Sequence, residues 1–361
     1  MKIPNLALST IAAIAVCYCI TACGPQEPRK NSRLIRGAGA TFPARLYEEW
    51  MDRYAAKYPQ IVVTYDAVGS GEGVKRFMAG EVDFGASDTA LTDEQIANAS
   101  RGVKLIPMTA GSIALAYHLP GLGGELRLSR ELYAGIFMGE VRRWDDAAIQ
   151  SLNPDLNLPD EEIAVVARRD SSGTTYAFTD HLSAISEVWR DQGPGTGKLV
   201  DWPGPTMSAT GNDGVARLIK RTSGTIGYLE FGTASRARLA MARLENRAGE
   251  FVAPTGPSGM ATLANATLPE NLRAFFPDPE GRDSYPIVTY TWLLLHGEYE
   301  TSDKAETIKD FVRWCLTDGQ QYNEQLGFIK LPPNVAGSAL EAVAAVSSPS
   351  SESQVRTNAS R

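Results

Sequence analysis

The densest chemistry in the sequence lies in Arg168-Arg169-Asp170-Ser171-Ser172-Gly173-Thr174-Thr175, directly behind the apolar run Ile163-Ala164-Val165-Val166. An apolar run of this length reads as a buried strand. The turn after it carries cations, an acid and small hydroxyl residues around one glycine. If that turn opens a helix, it offers backbone N–H groups, short hydroxyl donors and the positive end of a helix dipole, all suited to an anion. Arg168 adds a planar fork of donors matched to a tetrahedral oxyanion. Asp170 would repel such a ligand, so its expected task is to hold the guanidinium in place. Taken alone, the same residues read equally well as an ordinary strand-to-helix turn capped by Ser and Thr.

Three more stretches have related chemistry. Gly37-Ala38-Gly39-Ala40-Thr41-Phe42-Pro43-Ala44 precedes Leu46, Tyr47, Trp50, Met51 and Tyr54, which recur at helical spacing as core. A dinucleotide fingerprint is excluded, because the third glycine is missing at the required spacing. The β-rich run Ile61–Val68 ends at Gly69-Ser70-Gly71-Glu72-Gly73, with Val74, Phe77 and Met78 marking a short helix. No Ser or Thr follows Lys75, so this is not a phosphate-cradling P-loop, and the frame of a nucleophile elbow is absent. Val82-Asp83-Phe84-Gly85-Ala86-Ser87-Asp88 is a short strand delivering Ser87 and Asp88 to its end, and Thr92 to Gln95 predicts a capping box.

Stepping outward, 361 residues with 43% hydrophobic and 21% charged content are enough for two globular domains. A net charge of −7 argues against nucleic acid, which needs a basic face. Any anion site must therefore act by local geometry against a repulsive overall field. Lys2, the apolar Ile11–Ile20 and the small residues before Cys23 predict an export signal over residues 1–22. Ile20-Thr21-Ala22-Cys23 resembles a bacterial lipobox, which makes Cys23 the lipidated (palmitate-bearing) first residue and 23–33 a polar tether. Cys315 then stands alone in the body as a small buried apolar residue.

Further on, Ser112–Leu119 reads as a strand, Ser129 caps a helix that stops at Gly139, and a second helix runs through Leu152. Tyr176–Trp189 reads as helix, Gly193–Gly204 as loop, Ile226–Leu229 as a short strand and 245–285 as irregular. Ile287–Leu295 predicts a strong strand, and Thr307–Leu316 and Gln320–Leu326 read as helical. Alternating strands and helices predict an α/β architecture with largely parallel sheets and ligands at their carboxyl edges.

In this order, Gly37 to Ala44, Gly69-Ser70, Val82 to Asp88 and Arg168 with Ser172-Gly173-Thr174 closely resemble the phosphate-binding proteins of phosphate-specific ABC transporters. Trp144-Asp145-Asp146, Gly211-Asn212-Asp213-Gly214 and Gly224-Thr225-Ile226-Gly227-Tyr228 match as well, so the resemblance spans about Gly37 to Pro333. It implies a type II periplasmic-binding-protein fold: two α/β lobes, a ligand cleft between them and strand crossovers as hinge. Residues 34–109 and 289–346 would form lobe 1, 110–288 lobe 2, and 347–361 a disordered tail. The implied phosphate ligands are the backbone of Ala40, Thr41 and Phe42, the Thr41 hydroxyl, Ser70, Arg168, and the helix start at Ser172, Gly173 and Thr174. Asp88 is the implied acceptor and Asp170 the support of Arg168. Arg169, Ser171 and Glu72 depart from the family pattern.

The implied function is high-affinity binding of inorganic phosphate outside the cytoplasmic membrane, with delivery to permease subunits and their ATPase. The chain is expected to be exported and lipid-anchored, facing periplasm or cell exterior, with no cofactor and no metal. Phosphate near neutral pH carries a proton that Asp88 can accept, whereas sulfate has none and would leave a buried carboxylate unpaired beside a like charge. The rival readings are a binding protein for another tetrahedral oxyanion and a phosphatase or esterase using Ser70 or Ser172. The latter needs a base, and His118, His181 and His296 sit in unrelated stretches.

Overall fold

Apolar side chains at strand and helix spacing build the elements, and close glycine contacts bring them together at the cleft. The computed structural model describes residues 33–264 and 268–348. Cys23, residues 1–22, the tether to residue 32 and the tail from residue 349 lie outside the described residues. β1 (Arg33–Gly39) pairs in parallel with β2 (Ile61–Asp66) on one side and β3 (Phe84–Ser87) on the other. Between β1 and β2, α1 (Ala44–Lys57) buries Leu46, Tyr47, Trp50 and Tyr54, and Pro59 follows its end. α2 (Ser70–Met78) then buries Val74 and Phe77. At α3 (Asp93–Ala97) the capping box forms, with Gln95 N donating to Thr92 Oγ1 at 3.2 Å and Thr92 N to Gln95 Oε1 at 3.0 Å.

The long β4 (Val103–His118) leads into the second lobe. There follow β5 (Arg127–Leu128), α4 (Arg130–Met138), α5 (Ala147–Leu152), β6 (Ala164–Arg168), α6 (Gly173–Ile185) and α7 (Glu187–Asp191). Next come β7 (Thr206–Ala209), α8 (Gly211–Arg221), β8 (Thr225–Glu230), α9 (Phe231–Arg236), β9 (Ala240–Met241), β10 (Arg243–Glu245), β11 (Phe251–Val252) and α10 (Gly256–Ala264). The chain returns to the first lobe as β12 (Val288–His296), α11 (Ser302–Leu316) and α12 (Pro333–Ala344).

The main sheet is curled and runs β2-β1-β3-β12-β4-β8-β6-β7, with β9 also on β4. β4 belongs to both halves: Val103 to Ser112 face β12, and Ile113 to His118 face β8. The expectation of largely parallel sheets needs correcting. β1, β2 and β3 are parallel, as are β6, β7 and β8, but β12 and β4 run antiparallel to their neighbours. The reason is topological, since one strand leaves the first lobe and the other comes back into it. Their register shifts beside Pro107, which lacks the N–H that an unbroken ladder needs.

Other differences are local. The helix expected over Tyr176–Trp189 is two helices, because Ser186 leaves helical geometry (φ −134, ψ 114) and caps α7. The stretch 245–285 contains β11 and α10, and α12 lies where no helix was foreseen. Tyr299 N donates to Ser347 O at 2.9 Å, and Ser347 N to Gly297 O at 2.9 Å. The packed chain thus passes Val346, where the tail was expected to begin. Cys315 is buried, as expected.

α2 lies so close to β1 that a Cβ at Gly73 would stand 2.2 Å from Gly39 Cα and 2.9 Å from Ala38 O. Both contacts are backbone, so neither side can yield by a rotamer change. We expect Gly73→Ala to destabilise the fold by about 2–3 kcal/mol in a urea melt. An unchanged midpoint would mean that the position of α2 is not set by this contact.

Candidate functional site

The first wall of the site is the turn from β1 into α1. Ala40 holds that turn with both backbone groups, its N–H donating to Ala86 O (2.9 Å) and its C=O accepting from the Tyr65 hydroxyl (2.7 Å). Ala40 therefore has no free N–H to offer, and its place in the site is to fix Thr41 and Phe42. Phe42 is buried against Phe328. The second wall is the start of α2, where Gly69 at φ +95 lets the chain turn and Ser70 sits 1% exposed. Glu72 points elsewhere: it pairs with Arg76 at 3.0 Å and Lys75 at 3.8 Å along the helix, and the Arg76 hydrogen bond holds its carboxyl below the usual range.

Asp88 follows β3 and is 1% exposed. Thr291 Oγ1 on β12 donates to its Oδ1 at 2.9 Å, Ser70 Oγ lies 3.5 Å from its Oδ2, and its own N–H donates to Ser70 Oγ at 3.2 Å. Burial drives its pKa up, and the Thr291 bond, the Arg168 and Lys198 charges and Ser70 pull it back, leaving it at about 7. The group thus changes charge near neutrality, far above an ordinary carboxylate.

The opposite wall comes from the second lobe. β6 ends on Arg168, which is 3% exposed. Asp170 grips its guanidinium through Nε at 2.8 Å and through Nη2, and Gly211 N donates to Asp170 Oδ1 at 3.0 Å. Burial raises the Asp170 carboxyl, but the Arg168 bonds and charge outweigh it and hold the pKa low. The expected support of the arginine is therefore in place. Arg168 Nη1 is buried with no partner among the described residues. A buried, unsatisfied guanidinium N–H is costly unless something else completes it.

α6 opens beside this donor. Ser172 is its N-cap, accepting from Thr175 N at 3.1 Å, and Gly173 and Thr174 are buried in its first turn. Tyr228 braces the turn from behind, its hydroxyl accepting from Arg168 N at 3.1 Å and lying 2.7 Å from Thr175 Oγ1. The lobes meet here: a Cβ on Gly173 would be 2.6 Å from Ser70 Oγ and 2.7 Å from Asp88 Cβ, and Gly71 N donates to Ser171 O at 3.0 Å. Thr41, Ser70, Asp88, Arg168, Asp170 and the Ser172–Thr174 turn thus come together where the lobes meet, around a single buried acid, while Ala40 and Phe42 are buried behind Thr41. The arrangement suits a small oxyanion that carries a proton.

Several residues of this cleft had no assigned role in the sequence. Thr289 and Thr291 are hydroxyls on an otherwise apolar strand, which was the available signal. Asn212 reaches Thr41 and Thr174 from α8. Lys198, in a loop marked only by its glycines and prolines, pairs with no carboxylate among the described residues but feels Asp88; burial lowers its pKa and the Asp88 charge partly restores it. It lines a cavity of about 590 Å³ beside the cleft with Thr89, Tyr176 and Arg273. Among the described residues no cluster of His, Cys, Asp and Glu can hold a metal. His181 is engaged with Tyr133 and His296 with Arg101, His118 Nδ1 is buried with no partner among the described residues, and none of the three hydrogen-bonds to Ser70 or Ser172.

A family model described as a PBP superfamily domain matches residues 24–318. The chain is 34% identical over 361 residues to the phosphate-binding protein PstS of Methanocaldococcus jannaschii, covering 92% of each chain. It is 36% identical over 308 residues to PstS of Pasteurella multocida, covering 84% of this chain and 88% of that one. Its fold superposes with a TM-score of 0.70 and 21% identity on PfluDING, a high affinity periplasmic phosphate-binding protein solved with phosphate, covering 85% of this chain and 92% of that chain. A binding protein's two-lobed fold and full-length relatives at these identities agree, and the chain belongs to the PBP superfamily and, within it, to the family of PstS phosphate-binding proteins.

Proposed function

We propose that the chain binds inorganic phosphate outside the cytoplasmic membrane with high affinity and delivers it to the permease of a phosphate ABC transporter. It is a binding protein and not an enzyme. The observation that carries this reading is the buried Asp88, set among donors in the same cleft as Arg168 Nη1, which has no partner among the described residues. Arg168, the Thr41 and Phe42 turn, Ser70 and the α6 start at Ser172, Gly173 and Thr174 supply the donors, and Asp88 accepts the phosphate proton. Asp170 keeps Arg168 aimed. Lys198 adds a positive charge that favours ionised Asp88 and draws the anion inward.

The lobe division at 34–109 with 289–346 and at 110–288 is supported by the change of partner of β4 between Ser112 and Ile113. Opening and closing then bend β4 and β12, and closure forms the composite face offered to the permease. No helix of the described residues is long and apolar enough to cross a membrane. We assign membrane attachment to a lipid on Cys23 after removal of residues 1–22, with 23–33 as tether.

The protonation of Asp88 gives the pH dependence. Its folded pKa of about 7 lies above the ordinary 3.8, so between these values the ligand-free fold holds a proton that the unfolded chain has lost. Its contribution to stability is present below that window and fades as pH rises through it. For binding, ionised Asp88 rejects sulfate, whereas protonated Asp88 can donate to it. We expect calorimetric competition to show phosphate preferred over sulfate by roughly 10⁴-fold at about pH 8, and sulfate to compete at about pH 5. Asp88→Asn should let sulfate compete at both; undiminished exclusion in that variant would refute the proton-accepting role.

Closure has its own test. Gly173→Ala should weaken phosphate binding by roughly 10- to 100-fold, because the added methyl meets Ser70 and Asp88 of the other lobe. Its melting temperature without phosphate should stay near that of the parent. Tight binding in this variant would show that the lobes need not meet there.

A further inference from the structure

Asn212 sits 1% exposed in the first turn of α8, on the second lobe. Its backbone N–H donates to Thr41 Oγ1 of the first lobe at 3.3 Å, and its Nδ2 donates to the same oxygen at 3.1 Å. Nδ2 also reaches Thr174 Oγ1 at 3.5 Å. The amide cannot be turned the other way round. Its Oδ1 accepts the Glu230 N–H at 3.0 Å, a donor that the NH₂ end could not satisfy, so the NH₂ end faces the two hydroxyls.

A hydroxyl has one proton to give and two lone pairs with which to accept. At Thr41 both lone pairs are taken by N–H groups of Asn212, so the only hydrogen bond left to this hydroxyl is as a donor. At Thr174 one lone pair is taken. We propose that Asn212 is a positioning residue that, when the lobes are together, commits the Thr41 hydroxyl to donating toward the ligand, and that within its own lobe it biases the Thr174 hydroxyl the same way. This rests on the phosphate reading and deepens it. Asp88 is the group that accepts a proton, and Asn212 ensures that the Thr41 hydroxyl cannot. An unsteered hydroxyl would have to be oriented by the ligand itself, and in the wrong rotamer it would place a lone pair against an anionic oxygen.

The test is a double-mutant cycle read by phosphate titration calorimetry on the lobes in the full chain. In the parent background Asn212→Ala should weaken phosphate binding about tenfold or more. In a Thr41→Val, Thr174→Val background, where no hydroxyl remains to be steered, the same substitution should cost less than about twofold. Asn212→Ser, which keeps a single donor, should fall between parent and Asn212→Ala, and covers the case in which the alanine variant does not fold. Equal losses in both backgrounds would show that Asn212 acts through neither hydroxyl, and would overturn the proposal. A parent chain that does not bind phosphate would overturn the phosphate reading and this inference together, whereas additive losses with intact phosphate binding would overturn this inference alone.

Discussion

A carboxylate taken out of water must be given back what water supplied. Asp88 receives a hydrogen bond from Thr291, the nearby Ser70 hydroxyl, and the fields of Arg168 and Lys198, and it still remains close to its protonated form at neutrality. That balance is what the rest of the molecule is arranged around. β3 ends where it does to deliver this acid, β12 returns to set Thr291 against it, and α6 starts on a glycine so that the second lobe can approach. A less buried acid would have its charge satisfied by water and would not need the ligand's proton. A better-solvated one would tolerate sulfate.

The anion is attracted by parts rather than by the whole. The chain is acidic overall, so no long-range field gathers phosphate. In the site proposed above, attraction comes from one guanidinium whose charge is steadied by Asp170, and from the starts of α2 and α6, where the helix dipole is positive. Such short-range donors also explain why the glycines matter. They let backbone from two lobes come within contact of one small ligand, which side chains alone would hold apart.

Much of this was legible because strand ends followed by small hydroxyl residues carry a distinctive local chemistry. The Arg168–Thr175 turn is suggestive from its own residues, and Asp170 from the need to hold an arginine, whereas the roles of Thr41, Ser70 and Asp88 come with the resemblance of the ordered motifs to a known family. What could not be read was long-range pairing. Trp144 Nε1 donates to Gly224 O at 3.0 Å, so two of the matching stretches support each other structurally, and the second reaches the site only through Tyr228, behind Arg168. Lys198 reaches the cleft from a glycine-rich loop whose path only tertiary packing sets. The antiparallel β4 and β12 have the same apolar pattern as buried parallel strands, so periodicity cannot tell them apart. α12 buries Val335, Ala339 and Val343 at regular helical spacing, but its small residues after a double proline resemble a loop.

β12 lies between β3 and β4, yet it is made about 200 residues after β3. Until His296 has been synthesised, two strand edges of the first lobe face a gap that nothing nearer in the chain can fill. The second lobe, by contrast, is contiguous and needs only its own residues. Chain order therefore makes the second lobe the earlier folding unit and keeps the first unfinished late into synthesis. For the exported chain proposed above, that delay favours a polypeptide still loose enough to be threaded.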